Sequence, residues 1–244
     1  MEGIRINKYL SEAGVCFRRE GDRRIEAGEV TIDGRIAVAG DRVMPGQEVC
    51  CGGCIVSPVE KKILIAFHKP VGIVCTAEKR EKNNVIDYIH YPERIYPIGR
   101  LDKDSEGLLL LTNNGDIVNK MMRAGNYHEK EYLVTVNRPV TDSFLRGLAG
   151  GVPLVELGVT TRKCRVERVG KKQFRIVLTQ GLNRQIRRMC EYFGYRVERL
   201  VRVRIMNIEL GDLPVGKYRD VTDEEYVGLK ELIRDSSNGP AHKV

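Results

Sequence analysis

The 244 residues suffice for one large or two modest domains, and with 42% hydrophobic and 30% charged residues the chain is expected to fold as a globule rather than remain disordered. No apolar run approaches the ~18 residues of a membrane-spanning helix, and the start Met1-Glu2-Gly3 lacks a signal-peptide pattern, so a cytoplasmic location is expected. A formal net charge of +8 suits an anionic partner. Its distribution is uneven: residues 1–60 hold eight basic and ten acidic side chains, a net −2, whereas residues 162–204 hold fourteen and three, a net +11.

Ile6, Leu10 and Ala13 recur at helical spacing up to Gly14, and a second helix is predicted over residues 18–27 with Gly28 as its stop. A hairpin follows, with strands at 30–32 and 35–38 joined by Asp33-Gly34, a favoured two-residue turn. Pro45-Gly46 marks another turn before Val49. Seven cysteines, an odd number, fit reduced thiols better than a disulfide framework. Cys50-Cys51-Gly52-Gly53-Cys54 contains one Cys-x-x-Cys, but no second pair or nearby histidine completes a zinc site. Glu60-Lys61-Lys62 reads as a linker.

Beyond it the pattern alternates: strand 63–67, strand 108–112, helix 116–124, strand 132–136, helix 141–149, strand 174–179 and helix 184–193. Asp116 and Asn183 are expected to cap their helices. Mixed strands and helices with Gly and Pro punctuation point to an α+β fold. The expected domains are 1–60 and 61–235, with a polar tail at 236–244 that frays.

The run Gly99-Arg100-Leu101-Asp102-Lys103-Asp104-Ser105-Glu106-Gly107 precedes the apolar block 108–111, which is short enough to be a buried strand. It sets a carboxylate, Asp102, beside basic residues at a strand mouth, with a glycine at either end. Asp102, Asp104, Glu106 and Gly107 mimic half of a calcium loop, but Asn113 stands where the bidentate Glu belongs. A solvated charged turn is the bland alternative. In the 184–193 helix, Ile186, Met189, Cys190 and Phe193 form a core stripe, while Arg184, Arg187 and Arg188 gather on another face near the N-terminus, a favourable place for phosphate or a carboxylate. Tyr132, in an alternating stretch, reads by itself as a strand residue.

These segments, taken together and in order, resemble the pseudouridine synthases, in the branch named for the small-subunit ribosomal RNA enzyme. The Gly99 to Asp102 run resembles that family's Gly-Arg-Leu-Asp motif, and His68-Lys69-Pro70-Val71-Gly72 its first motif. Glu131-Tyr132-Leu133-Val134 resembles its tyrosine motif and the stretch Gly181 to Met189 its last. The surroundings of Asp102 and Arg187 are most similar to the large-subunit subfamily F. The first sixty residues resemble the small RNA-binding module first known from ribosomal protein S-four. The resemblance implies that module followed by a mixed, largely antiparallel sheet with flanking helices.

It also implies the chemistry. A uridine within RNA is isomerised: the bond from nitrogen to ribose is cut, the uracil turns, and carbon 5 is joined to the sugar. No redox change occurs, so neither cofactor nor metal is expected, in keeping with the absence of a dinucleotide fingerprint or phosphate loop. Asp102 would be the catalytic carboxylate, Tyr132 would pack on the target uracil, and Arg187 would pair with Asp102. Arg100, Leu101, Lys103, Arg184, Gln185, Ile186 and Arg188 would hold the RNA around a flipped base, as would Lys8, Arg18, Arg19, Arg23 and Arg24 on the N-terminal module. For those last arginines, local pairing with Glu20, Asp22 and Glu26 is the competing reading. The implied partner is structured RNA, 23S ribosomal RNA above all, with small-subunit rRNA or a tRNA anticodon loop as alternatives; no membrane is involved and a monomer is expected. A non-catalytic ribosome-assembly protein would have lost the acid, and a metal-dependent RNA hydrolase would need a metal.

Overall fold

A computed structural model describes residues 3–57, 61–78, 80–122 and 124–236. Glu60 of the expected linker, residue 123 of an expected helix and residues 237–244 of the expected tail lie outside the described residues. The chain divides into two compact units, one comprising Met1–Ile63 with Pro92–Arg94 and Asn113–Gly115, the other Leu64–Tyr91, Ile95–Thr112 and Asp116–Val244.

In the first unit, β1 (Ile4–Arg5) leads into α1 (Ile6–Glu12) and α2 (Arg18–Glu26). Then come β2 (Val30–Ile32), β3 (Arg35–Ile36), β4 (Arg42–Val43), β5 (Val49–Cys51) and β6 (Cys54–Ile55). β1 pairs with β4, and a small sheet runs β3-β2-β5-β6. The expected hairpin is present, closed at Asp33-Gly34 with Ile32 opposite Arg35. Ile6, Leu10, Ile25, Val30, Ile32 and Val49 form its core, the helical and strand periodicities converging on one apolar centre. Cys51 belongs to that core while Cys54 is exposed beyond the Gly52-Gly53 turn, and all seven cysteines are free.

The second unit comprises β7 (Leu64–Lys69), α3 (Val85–Ile89), β8 (Tyr96–Ile98), β9 (Glu106–Thr112), α4 (Gly115–Met122) and β10 (Lys130–Val136). It continues through α5 (Asp142–Gly150), β11 (Pro153–Leu154), β12 (Val159–Thr160), β13 (Arg165–Gly170) and β14 (Gln173–Leu178). α6 (Gln185–Tyr192), β15 (Val197–Ile205), β16 (Ile208–Glu209), β17 (Tyr218–Asp220) and α7 (Asp223–Leu232) complete it. A nine-stranded sheet orders β13-β14-β10-β15-β9-β7-β17, with β16 beside β15 and β8 beside β9. Every pairing in it is antiparallel except β15 with β9. The α+β expectation therefore holds.

Leu108, Leu109, Leu110 and Leu111 are fully buried. β9 is thus covered on both faces, and each such side chain contributes about 1.5–3 kcal/mol. One apolar cluster joins Phe144 and Leu148 of α5 with Ile186, Met189 and Cys190 of α6 under β10 and β14, as the stripe on the last motif's helix requires.

Two helix starts differ from expectation. α4 begins at Gly115, so Asp116 sits in its first turn rather than at its cap, and a 3₁₀ turn at Ala124–Asn126 follows its end. At α6 the cap position belongs to Arg184, which makes no capping side-chain bond. The Gln185 Oε1 accepts from the Leu182 backbone N–H at 3.1 Å, ahead of the helix, and the expected cap at Asn183 is not formed.

Candidate active site

Loop 99–105 carries the Gly-Arg-Leu-Asp run into β9, and five separate attachments fix it. Gly72 N–H donates to the Lys103 carbonyl at 2.7 Å. The Lys69 ammonium, fully buried, donates to the carbonyls of Pro70 at 2.7 Å and Ser105 at 2.8 Å. Leu101 N–H points at the Cys75 thiol sulfur, 3.3 Å away. The Arg202 guanidinium donates to Leu108 O at 2.7 Å and Arg100 O at 3.4 Å. Arg187 donates through Nη2 to Asp104 O at 2.8 Å and Ser105 Oγ at 3.3 Å. A polar loop tied this often to its surroundings holds its side chains in fixed positions.

Gly107 closes the run. Its φ is +112°, and it lies opposite Arg202 where β9 and β15 run parallel. A β-carbon there would lie 2.4 Å from the Arg202 carbonyl oxygen, so only glycine fits. The motif's terminal glycine therefore serves close approach of two strands.

Asp102 stands half-buried beside a cleft of about 300 Å³. The loop forms one wall and residues 178–187 another, while β10 and β15 supply Lys130, Tyr132, Leu200 and Arg202. Tyr132 is opposite Arg202 in the sheet and packs against the β10–α6 apolar cluster. Of the residues singled out in the sequence, Arg100, Leu101, Asp102, Tyr132, Arg184, Gln185, Ile186 and Arg187 all line this cleft. Lys103 and Arg188 do not; Arg188 pairs with Glu156 and donates to the Asn183 carbonyl at 3.2 Å.

The expected Arg187–Asp102 pair is not the one formed. Arg187 Nε lies 3.3 Å from a carboxylate oxygen of Asp104, while Asp102 has Arg184 as its ion-pair neighbour, at 4.0 Å. The cause is local. Nη2 of Arg187 is committed to the 104–105 backbone and hydroxyl, and Nη1 reaches Val197 O at 3.3 Å, which holds the guanidinium two residues beyond Asp102. Nor does Arg187 lie on an exposed polar face, being only 8% exposed. Arg184 adopts a left-handed backbone, φ +50°, unusual for a long side chain. From there it grips Asp104 with two hydrogen bonds of 3.1 and 3.0 Å. Burial raises the Asp104 pKa, but the Arg184 hydrogen bond and the charges of Arg187 and Arg184 outweigh it, leaving the carboxyl below its ordinary value.

Sequence reasoning missed Lys69, Lys130 and Arg202. Burial lowers the pKa of Lys69, against the opposing charges of Asp102 and Asp104. Lys130 is pulled down to about 8 by burial and then by the charge of Arg202. A signal for Lys130 was present, since it precedes Tyr132 by two residues on one strand and so shares its face.

On the N-terminal unit, Arg18 and Arg19 are exposed. Arg23 pairs with Glu20, while Arg24 lies 3.6 Å from Glu20 and 3.9 Å from Glu29. Lys8 is 3.4 Å from Glu12. Local pairing thus engages three of the five basic residues.

A sequence-family model described as RNA pseudouridylate synthase matches residues 63–192, and an S4 domain model matches residues 4–49. The chain is 54% identical over 237 residues to the dual-specificity RNA pseudouridine synthase RluF of Escherichia coli K12, covering 96% of this chain and 81% of that protein. The chain belongs to the RNA pseudouridylate synthase family. It is also 32% identical to the ribosomal large subunit pseudouridine synthase B of Bacillus subtilis, over 96% of this chain and 98% of that protein. Among solved structures, a pseudouridylate synthase crystal structure matches with a TM-score of 0.68 at 26% identity, covering 93% of this chain and 99% of that one. The enzyme is therefore a pseudouridine synthase carrying an N-terminal S4 domain. No helix among the described residues is long and apolar enough to cross a membrane.

Proposed function

We propose that this synthase isomerises a specific uridine of large-subunit (23S) ribosomal RNA, with Asp102 as its catalytic carboxylate. The observation that carries this reading is the placement of Asp102: half-buried, on a loop tied down at five points, in a cleft that Tyr132 also lines. A stacked uracil is out of reach inside RNA, so the base must be flipped out, at a cost of a few kcal/mol that stacking and phosphate contacts offset. Tyr132 offers the ring on which the flipped uracil packs. Arg100, exposed at the loop, is suited to the gap the base leaves or to its phosphate.

Arg187 holds the loop through Asp104 and Ser105 and acts on Asp102 by position. Arg184, the ion-pair neighbour of Asp102 at 4.0 Å, sets a guanidinium beside the carboxylate that acts at the ribose. The ribosomal target follows the names of the relatives; the dual specificity named for one of them favours a second RNA substrate, for which small-subunit rRNA and a tRNA anticodon loop are the alternatives. Residues 1–60 would dock structured RNA and residues 61–235 carry the chemistry, in a monomer acting in the cytoplasm without cofactor or metal.

The test uses purified protein and unmodified transcripts of 23S rRNA, 16S rRNA and tRNAs, with pseudouridine mapped through carbodiimide-resistant adducts. Wild-type protein is expected to mark a 23S uridine. Asp102→Asn is expected to mark none while binding the same RNA within about threefold, because the substitution conserves shape. Pseudouridine formed by Asp102→Asn above trace would remove Asp102 from the chemistry.

A further inference from the structure

Among the described residues, two of the cations lining the cleft have no carboxylate within ion-pair distance. Arg202 is 2% exposed, yet its Nη2 has no hydrogen-bond partner among the described residues; its other contacts are the carbonyls of Leu108 and Arg100. Lys130 also lines the cleft and, among the described residues, has no carboxylate within ion-pair distance. Lys130 and Tyr132 alternate on β10, and Tyr132 faces Arg202 across the sheet. All three thus present to one surface.

Buried cations without counter-charge are disfavoured unless a ligand supplies the negative charge. The motif loop's own acids do not supply it, since Asp104 is engaged by Arg184 and Arg187 and the ion-pair neighbour of Asp102 is Arg184. Leu178, Leu200 and Ile186 flank the same space. A slot in which these apolar side chains and Tyr132 stand beside the two cations suits a flat, neutral ring that becomes anionic during reaction better than a permanently charged, hydrated phosphodiester.

We infer that Lys130 and Arg202 hold the carbonyl oxygens of the flipped uracil and stabilise the negative charge on the base once its bond to ribose has broken. The inference rests on the reading of Asp102 given above. When the C1′–N1 bond breaks, its electron pair stays with the base and is shared by N1, O2 and O4. The base turns, C5 bonds to C1′, the C5 hydrogen leaves as a proton, and N1 takes one up. The result is an isomer, with nothing oxidised or reduced. Cations aimed at O2 and O4 act most strongly on the anionic stage, and so on the barrier.

The test compares wild type, Lys130→Met and Lys130→Arg in single turnover at saturating enzyme, on whichever of the three transcript classes wild type modifies. Each RNA is made with uridine and, separately, with 5-fluorouridine, whose base anion is intrinsically more stable. Lys130→Met is expected to lower the uridine rate by about 10²–10³, with RNA affinity within threefold of wild type. Lys130→Arg should restore much of the rate. With 5-fluorouridine, read as conversion to its rearranged product, the Lys130→Met deficit should shrink at least tenfold, which a merely structural role would not produce. A uridine rate within twofold of wild type, equal losses on both RNAs, or a loss confined to RNA affinity would each overturn the inference, the last assigning the cations to a phosphate. Wild-type protein that leaves uridine untouched in every transcript would instead overturn the reaction on which it rests.

Discussion

Gly107 and Arg202 are register partners at the parallel junction of β9 and β15, and the absence of a side chain on Gly107 lets the Arg202 backbone approach. This contact sets the distance between the loop bearing Asp102 and the strand bearing Arg202. Gly107→Ala meets both a positive φ and a backbone clash. Together they are expected to cost about 2–4 kcal/mol, seen as a melting temperature lower by roughly 5–15 °C. Unchanged melting would mean that the two strands part without penalty.

Lys130 supplies a pH test with a definite sign. Its pKa is about 8 in the folded protein against 10.5 as a free side chain, because burial and then Arg202 disfavour its charge. Between these values the unfolded chain binds more protons, so stability rises with pH from about 8 to 10.5. Below about 8 the charged amine is a full liability, and Lys130→Met should be more stable than wild type at pH 7. Urea midpoints measured from pH 7 to 10.5 check this: the wild-type curve should climb toward that of the variant, and parallel curves would contradict it.

Much of this was legible in the chain. Asp33-Gly34 announced a hairpin, the 108–111 block a buried strand, and the Ile186, Met189, Cys190 stripe a core-facing helix, because each depends on short-range periodicity or turn chemistry. β15 was not, although it lies at the centre of the sheet between β10 and β9. Arg199, Arg202 and Arg204 interrupt its apolar pattern, and a buried arginine bonded to distant carbonyls looks, in sequence, like a solvated one. The Arg187 partner was misjudged for a related reason. Residue types at the site were readable, but Asp102 and Asp104 are two places apart, and which of them meets an arginine from α6 depends on the turn closed by Ser105 N–H to Asp102 O.

The Arg187–Asp104 contact makes a prediction that separates it from an Arg187–Asp102 pair. In a double-mutant cycle, Arg187→Met and Asp104→Asn should couple by about 0.5–3 kcal/mol in stability, whereas Arg187→Met and Asp102→Asn should be additive within about 0.5 kcal/mol. Arg187→Lys should also destabilise, because one ammonium cannot reach Asp104 O, Ser105 Oγ and Val197 O together. Coupling to Asp102 larger than to Asp104 would reverse the assignment.

On the N-terminal unit, Arg18 and Arg19 are exposed while Arg23 and Arg24 are drawn to Glu20. If this unit grips phosphates, the residues differ in what they contribute. Arg18→Ala with Arg19→Ala should weaken RNA binding and reduce the slope of log affinity against log salt by roughly 1.4–1.8, about 0.7–0.9 for each phosphate no longer neutralised. Chemistry on bound RNA should persist, since Asp102, Tyr132 and the cleft belong to the other unit. Glu20→Gln should act oppositely: it frees Arg23 and Arg24 from their carboxylate, so affinity at low salt should rise and the slope steepen. Filter binding from 50 to 300 mM salt distinguishes the cases. A slope indifferent to all three substitutions would show that α2 meets only water and that Glu20 pairs with its arginines merely to complete a solvated helix face.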